Sequence, residues 1–212
     1  MQLPTLKLEL PLWEKGFLVV GIDEVGRGSF AGPLVVGATI IKPDLNKTSL
    51  EKLLALGIND SKKLSKTKRE TLQKSVQEFI FDLQIEYISV DIINKIGIGK
   101  STTEGFEKIA KTINAKHTNQ KIFFLTDAFA IPSIPKENQL NIIRGDSTSL
   151  SIATASILAK VDRDSHMTEL SDQYPLYSLS QNKGYGTLTH RNAIKKYGGT
   201  IIHRTTFIKD FI

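Results

Sequence analysis

The 212-residue sequence contains no cysteine, which excludes disulfides, thiolate nucleophiles and cysteine-based zinc sites. Its four histidines, His117, His166, His190 and His203, show no metal-ligand spacing. No apolar run approaches the roughly 20 residues of a membrane-spanning helix. The stretch Met1 to Leu12 has Glu9 amid short apolar pieces and does not read as a secretion signal. There is no internal repeat, no low-complexity linker and no compositional bias toward disorder. A soluble, cytoplasmic protein is expected.

Hydrophobic residues make up 40% of the chain, enough for one core and a small helical appendage. The 28 basic residues outnumber the 22 acidic ones, a net charge of +6. Within residues 181–212, Lys183, Arg191, Lys195, Lys196, Arg204 and Lys209 face only Asp210, so this stretch carries +5 (six minus one). A localised basic excess points to an anionic partner, nucleic acid or an acidic surface. On charge alone, an ordinary basic protein is as good an explanation.

Phe17 to Ile22 is a short apolar run rich in β-branched residues and reads as a buried strand ending at Asp23-Glu24. Gly26, Gly28, Gly32 and Pro33 mark a turn, and Leu34 to Ile41 reads as a second strand forming a hairpin with the first. A helix is predicted over Ser65 to Phe79 with Ser65 as its cap, then a strand over Asp82 to Ile88. Ser101 to Ile113 reads as a helix with Ser101 and Glu104 as a capping box. Short strands are expected at Ile122 to Leu125, ending at Asp127, and at Leu140 to Ile143, ending near Asp146. Ser149 to Leu170 reads as one long helix whose Ile152, Ala155, Ser156 and Ala159 side is small enough to pack on a sheet. A last helix is expected at about Thr189 to Tyr197, between Gly186 and Gly198. This order argues for an α/β domain with a mixed sheet, followed by a C-terminal helical region.

The acids Asp23, Glu24, Asp127 and Asp146 share one feature: each follows a short apolar strand. Burying a carboxylate costs several kcal/mol even after relaxation, so acids gathered at strand ends are cheapest when cations neutralise them. Four carboxylates without Cys or His offer hard oxygen ligands, which suit Mg2+ or Mn2+. Two such ions can flank a scissile phosphate, one side activating water and the other stabilising the leaving oxygen. Taken singly, each strand-end acid is better explained as a turn or cap residue. Asp23 and Glu24 are adjacent, so a regular strand sends them to opposite faces. Both serve one site only if the backbone bends at Gly26-Arg27-Gly28, or if one contributes its main-chain carbonyl.

At these residues the sequence resembles the ribonuclease HII family. The segment Gly21-Ile-Asp-Glu-Val-Gly-Arg-Gly-Ser-Phe-Ala-Gly-Pro33 is similar to the N-terminal signature of that family, with Asp23 and Glu24 in its acidic positions. Asn59-Asp-Ser-Lys-Lys-Leu-Ser65 is similar to a second motif, and Asp127 matches the third acid. Arg144-Gly-Asp146 and the helix through Asp164 match the fourth acid and the helix after it. Gly184-Tyr-Gly-Thr-Leu-Thr-His190 and His203-Arg-Thr-Thr-Phe207 match the C-terminal motifs, so the resemblance runs from about residue 17 to 207. Ser29-Phe30 stand where the family usually has Pro-Leu, and Asp162 is an unusual acid on the long helix.

The resemblance implies a ribonuclease H-like fold. Residues 1–180 would form the catalytic domain and 181–212 a basic helical region that helps bind substrate, within one compact unit. It also implies a metal-dependent endonuclease acting on RNA–DNA hybrids and on duplex DNA containing ribonucleotides, leaving 3′-hydroxyl and 5′-phosphate ends. A monomer is expected. Gly26-Arg27-Gly28 looks like the loop whose backbone approaches a ribose and senses its 2′-hydroxyl, for which a residue without Cβ is suited. Without the resemblance it is a plain hairpin turn. Tyr185 looks like the residue that stacks on the sugar after the ribonucleotide; otherwise it is a packed surface aromatic. Lys62 and Lys63 look like contacts to a DNA-strand phosphate, against a solvated face as the plain alternative. Lys160 and Arg163 are neighbours on one helix, and are phosphate contacts or ion-pair partners of Asp164. Other readings are a nucleic-acid-binding protein without catalysis, a phosphatase of small substrates, and the HIII type. The retention of all four acids argues against the first, the basic tail and Tyr185 against the second. About 16 residues before the first strand argue against the third.

Overall fold

The computed structural model describes residues 3–212. Five strands form one mixed sheet: β1 (Phe17–Val25), β2 (Leu34–Ile41), β3 (Ile80–Ile88), β4 (Lys121–Asp127) and β5 (Gln139–Ile142), in the order β3-β2-β1-β4-β5. The expected hairpin is present, with β1 and β2 antiparallel from Val20↔Ile40 to Val25↔Val35. β3 extends it antiparallel, while β4 and β5 run parallel to β1. β1 continues to Val25, so Asp23 and Glu24 lie inside the strand, paired with Gly37 and Val36, and the bend at Gly26 comes after them.

The helices are α1 (Leu10–Glu14), α2 (Lys47–Ala55), α3 (Lys66–Ser75), α4 (Val90–Ile96), α5 (Ile98–Lys116), α6 (Leu150–Gln173), α7 (Leu179–Asn182), α8 (Leu188–Tyr197) and α9 (Thr205–Ile208). Ser65, Ser149 and Thr187 cap α3, α6 and α8 by accepting from backbone amides of the first turn. The helix expected over Ser65 to Phe79 ends at Ser75 and passes through a 3-10 turn, Gln77–Phe79, into β3. The expected capping box at Ser101 is not formed. α5 begins earlier, and the Ser101 hydroxyl donates to the Gly97 carbonyl at 2.9 Å. α2 and α4, capped by Asn46 and Ser89, had no counterpart in the sequence reading.

Alternation along β1 splits the core into two layers. Leu18, Val20 and Ile22 pack with Phe106, Ile109 and Ile113 of α5, whereas Val19 packs with Leu125 and Ile152 of α6. α6 lies close on its face because glycines stand beneath it. A Cβ on Gly21 would sit 2.2 Å from the Ser151 carbonyl carbon, and one on Gly37 2.8 Å from Ala155 O. α6 is buried on every side from Leu150 to Ala159, more than the single apolar side expected, because α2 and α3 cover its outer face through Leu53, Leu72 and Val76. The C-terminal segment packs Leu179, Ala193, Ile194, Ile202 and Ile208 against Ala31 and Met167, and so shares a core with the connection after β1 and with α6. Among the described residues, no helix is long and apolar enough to cross a membrane.

Candidate active site

Strand pairing brings three of the four acids together. β1 and β4 are parallel neighbours whose last pair is Ile22↔Thr126, so Asp23 and Asp127 follow side by side, one residue on. Asp127 is paired with Ile142 of β5, and Asp146 follows in a 3-10 turn, Gly145–Ser147. The Gly145 amide donates to Asp127 Oδ1 at 2.9 Å. Ala128 (φ 62°) and Arg144 (φ 60°) adopt left-handed backbone conformations on either side of this pairing. Such strain in non-glycine residues persists only where the surroundings impose it. One carboxylate oxygen each from Asp23, Asp127 and Asp146 lies within 4.8 Å of the others.

Glu24 stands apart from this cluster. The turn at Gly26 comes after both residues, and strand alternation turns Glu24 from the face of Asp23. It nevertheless feels the cluster: burial, then Asp23 and Asp127, push its carboxyl up to about 8. Its Oε2 is buried without a hydrogen-bond partner. Asp23 and Asp146 are both buried. Burial raises Asp23 to about 7, against the lowering effect of the Ser156 hydroxyl and with a further push from Asp127. Burial and the neighbouring Asp60 raise Asp146. Crowded, desolvated carboxylates beside an orphaned carboxylate oxygen form a donor set that fits hard divalent cations.

Lys62 faces the cluster. It lies in the 3-10 turn Ser61–Lys63, which Asp60 caps by accepting from the Lys62 amide at 2.9 Å. Burial works against its ammonium, but Asp23, Asp146 and Asp60 hold it above the ordinary lysine range. Lys63, exposed like Lys62, pairs with Asp60 at 3.4 Å. Next to the acids is a cavity of about 190 Å³ lined by Glu24, Gly26, Arg27, Gly28, Lys62 and Tyr185, with Ser61, Ser156 and Lys160 also at its wall. A larger cavity of about 670 Å³ lies beside Phe17, His117 and Lys121, at the opposite ends of β1 and β4 from the acids.

Tyr185 is half-buried, with Lys160 Nζ 5.2 Å from its ring centroid. Lys160 also pairs with Asp164 at 2.7 Å. The exposed Arg27 guanidinium lies 4.5 Å from the Phe129 ring centroid. Arg163, expected as a phosphate contact or a partner of Asp164, is fully buried, and Asp164 pairs with Lys160 and Arg69 instead. Its guanidinium donates to the carbonyls of Pro33, Ala31 and Lys183, so it staples the loop after β1 to the Tyr185 segment. Asp162 accepts from the Tyr87 hydroxyl on β3, outside this site.

The sequence model of Ribonuclease HII matches residues 20–210. The ribonuclease HII of Clostridioides difficile (strain 630) is 42% identical over 201 residues, which cover 94% of this chain and 74% of that protein. The chain belongs to the ribonuclease HII family. Ribonuclease H2 from Pyrococcus horikoshii OT3 has a TM-score of 0.69 at 22% identity, covering 91% of this chain and 96% of that one. Bst-RNase HIII in complex with Mn2+ gives 0.69 at 19% identity, covering 92% of this chain and 69% of that one. The fold is therefore ribonuclease H-like, and this member of the ribonuclease HII family is an endonuclease of the ribonuclease H type.

Three residues of this ribonuclease HII site escaped the sequence reading. Arg204, counted there among the basic tail charges, is fully buried. It donates to the carbonyls of Gly26, Arg27 and Gly32, gripping the Gly-Arg-Gly loop from beneath. Burial and the nearby Arg163 lower its guanidinium to about 9. Ser156, expected only as a small packing residue, meets Ser61 Oγ at 2.9 Å and supports Asp23. Asp60 presses on Asp146. Asp60, Ser156 and Arg204 all lie within segments that resemble the family, which is the signal that could have found them.

Proposed function

We propose that this chain cuts the RNA strand of RNA–DNA hybrids and incises duplex DNA on the 5′ side of embedded ribonucleotides, leaving 3′-hydroxyl and 5′-phosphate ends. The observation that carries this reading is adjacency. A cluster of Asp23, Asp127 and Asp146 adjoins a cavity whose wall combines Gly26-Arg27-Gly28, Lys62 and Tyr185. The first suits phosphodiester hydrolysis; the second suits inspection of one sugar.

Asp23, Asp127 and Asp146 would hold Mg2+ or Mn2+, with Glu24 supplying its free oxygen nearby. When bound, two such ions supply water activation and stabilisation of the leaving oxygen. Lys62 and Lys63 hold a substrate phosphate, and Lys160 adds positive charge at the wall of the cavity. The Gly26-Arg27-Gly28 backbone meets the ribose. A Cβ on Gly26 would lie 2.1 Å from Arg163 Nε, so only glycine lets the loop sit on its buried staple. Tyr185 lays its ring on the following sugar. The exposed lysines of the tail meet phosphates without regard to sequence. The protein works as a cytoplasmic monomer in the removal of ribonucleotides from DNA.

The test is incubation with Mg2+ and a DNA duplex carrying one ribonucleotide. A nick on its 5′ side with a 3′-hydroxyl end is expected. Cleavage of DNA without ribonucleotides at the same rate would overturn the reading.

A further inference from the structure

Two histidines lie behind Tyr185, away from the acids, and the chemistry above leaves them without a role. His190 and His203 are both fully buried. Their Nε2 atoms are 3.2 Å apart. His190 Nδ1 is 3.0 Å from the Tyr185 carbonyl, and His203 Nδ1 is 3.0 Å from the Thr200 amide nitrogen. These partners fix every proton. A carbonyl only accepts, so His190 Nδ1 carries hydrogen and its Nε2 accepts in the neutral ring. A backbone amide only donates, so His203 Nδ1 accepts and its Nε2 donates. The result is one directed chain, from the Thr200 amide through His203 and His190 to the Tyr185 carbonyl.

The chain ends on the backbone of the residue whose ring lines the substrate cavity. The same segments embrace the Gly-Arg-Gly loop: Ser29 forms a β-bridge with Tyr185, and Ala31 forms one with His203. The Phe30 and Tyr177 rings flank the buried His190 imidazole, each with its centroid 6.2 Å away. The Tyr185 carbonyl also accepts from the Thr187 amide at 2.8 Å, so His190 adds a side-chain donor to a carbonyl otherwise held within its own turn.

We propose that His190 is a positioning residue for Tyr185, with His203 fixing its tautomer, so that the pair sets the ring for recognition of the sugar after a ribonucleotide. This rests on the functional reading above. The two amide replacements of His190 separate positioning from packing. Asparagine places its Nδ2–H close to where Nδ1 stands and keeps a donor for the Tyr185 carbonyl. Glutamine reaches toward His203 and abandons that carbonyl.

The experiment measures single-turnover rates with Mg2+ on a duplex with one ribonucleotide and on a uniform RNA–DNA hybrid. It uses wild type, His190→Asn and His190→Gln, each also combined with Tyr185→Ala. Thermal unfolding is recorded for all. His190→Gln is expected to lower the single-ribonucleotide to hybrid rate ratio about tenfold, equivalent to about 1.4 kcal/mol in the transition state. His190→Asn is expected to keep the ratio within about threefold of wild type, although both variants lose similar stability. Once Tyr185 is alanine, His190→Gln is expected to change the ratio no further. Equal loss in the two single variants, or a further loss in the Tyr185→Ala background, overturns the proposal. Should His190→Gln not fold, His203→Asn keeps the Thr200 contact but frees the His190 tautomer; an unchanged ratio there overturns it equally. A wild-type protein that cuts the hybrid yet never nicks at the single ribonucleotide overturns the functional reading itself, before any variant is compared.

Discussion

The Gly145 amide donates to Asp127 Oδ1 at 2.9 Å, so the end of β4 and the turn that carries Asp146 are held as one piece. The bond uses one oxygen of a carboxylate whose neighbours, Asp23 and Asp146, are within 4.8 Å. Geometry and charge at Asp127 can therefore be separated by substitution.

Asp127→Asn retains the Oδ1 acceptor for Gly145 and removes a negative charge. Cleavage at saturating Mg2+ is expected to fall by roughly two to three orders of magnitude or more, while the fold persists. Without metal the melting temperature is expected to rise, because like-charge repulsion is relieved. Rates and thermal melts with and without chelator check this, and near-wild-type turnover would remove Asp127 from the mechanism.

The raised acids make metal-free stability depend on pH. Asp23 at about 7 and Glu24 at about 8 lie above their ordinary values of 3.8 and 4.5. Between about pH 4 and 8 the folded chain thus holds more protons than the unfolded chain, and its stability falls as pH rises. A bound divalent cation offsets this, so stabilisation by Mg2+ is expected to be small near pH 5 and largest above pH 8. Melting curves from pH 5 to 9, with and without Mg2+, give the answer. Asp23→Asn is expected to flatten the metal-free slope; the same slope in variant and wild type would refute the assignment.

Arg204 is expected to be a stability residue and not a phosphate contact. Lysine at this position cannot reach the Gly26, Arg27 and Gly32 carbonyls together. Arg204→Lys is expected to cost about 2–3 kcal/mol in urea unfolding, because buried carbonyls lose their donor. A change below about 0.5 kcal/mol would show that the clamp carries little.

How far the sequence could be read depends on where each residue's environment comes from. Asp23, Asp127 and Asp146 announced themselves because each follows a short apolar run, a local feature. That these ends converge depends on β4 pairing with β1, a contact between residues about a hundred positions apart that no local pattern encodes. Lys160 and Arg163 share a helix side by spacing. Yet the helix leaves its all-round burial just at Lys160, so Lys160 reaches the cavity while Arg163 turns in to the Pro33, Ala31 and Lys183 carbonyls. Arg204 looks like any tail cation until the loop it grips is folded above it. α2 has only Leu53 fully buried, too thin an apolar stripe to stand out by periodicity.

The basic tail is best tested by neutralising charges in place. Truncation after Ser180 would strip Ala193, Ile194 and Ile208 from Ala31 and Met167, and would unfold more than the tail. Lys195→Gln with Lys196→Gln, both exposed on α8, leaves that packing intact. If both meet phosphates, the slope of log affinity against log salt is expected to shrink by about 1.8, roughly 0.9 for each phosphate that is no longer neutralised. An unchanged slope places the duplex elsewhere.

Tyr185 separates two roles that a cavity-lining aromatic can have. If its ring presses on the sugar after the ribonucleotide, a deoxyribose there is favoured and a 2′-hydroxyl crowds it. A stack of this kind is worth roughly 1–3 kcal/mol, about tenfold to somewhat over a hundredfold in rate when felt in the transition state. Tyr185→Ala is expected to slow incision at a single ribonucleotide by about that factor, and cleavage within a long hybrid less, since every step there already lacks the favoured deoxyribose. Loss of the ring removes the Arg163 guanidinium's contact 5.6 Å from the ring centroid but leaves its hydrogen bond to the Lys183 carbonyl, so the loop should stay standing. Tyr185→Phe keeps the ring face and is expected to be milder than alanine. The measurement is the ratio of the two rates for wild type and each variant. If Tyr185→Ala lowers both rates equally, the ring supports the site in general and the choice of junction is made elsewhere, with the Gly26-Arg27-Gly28 backbone as the next place to look.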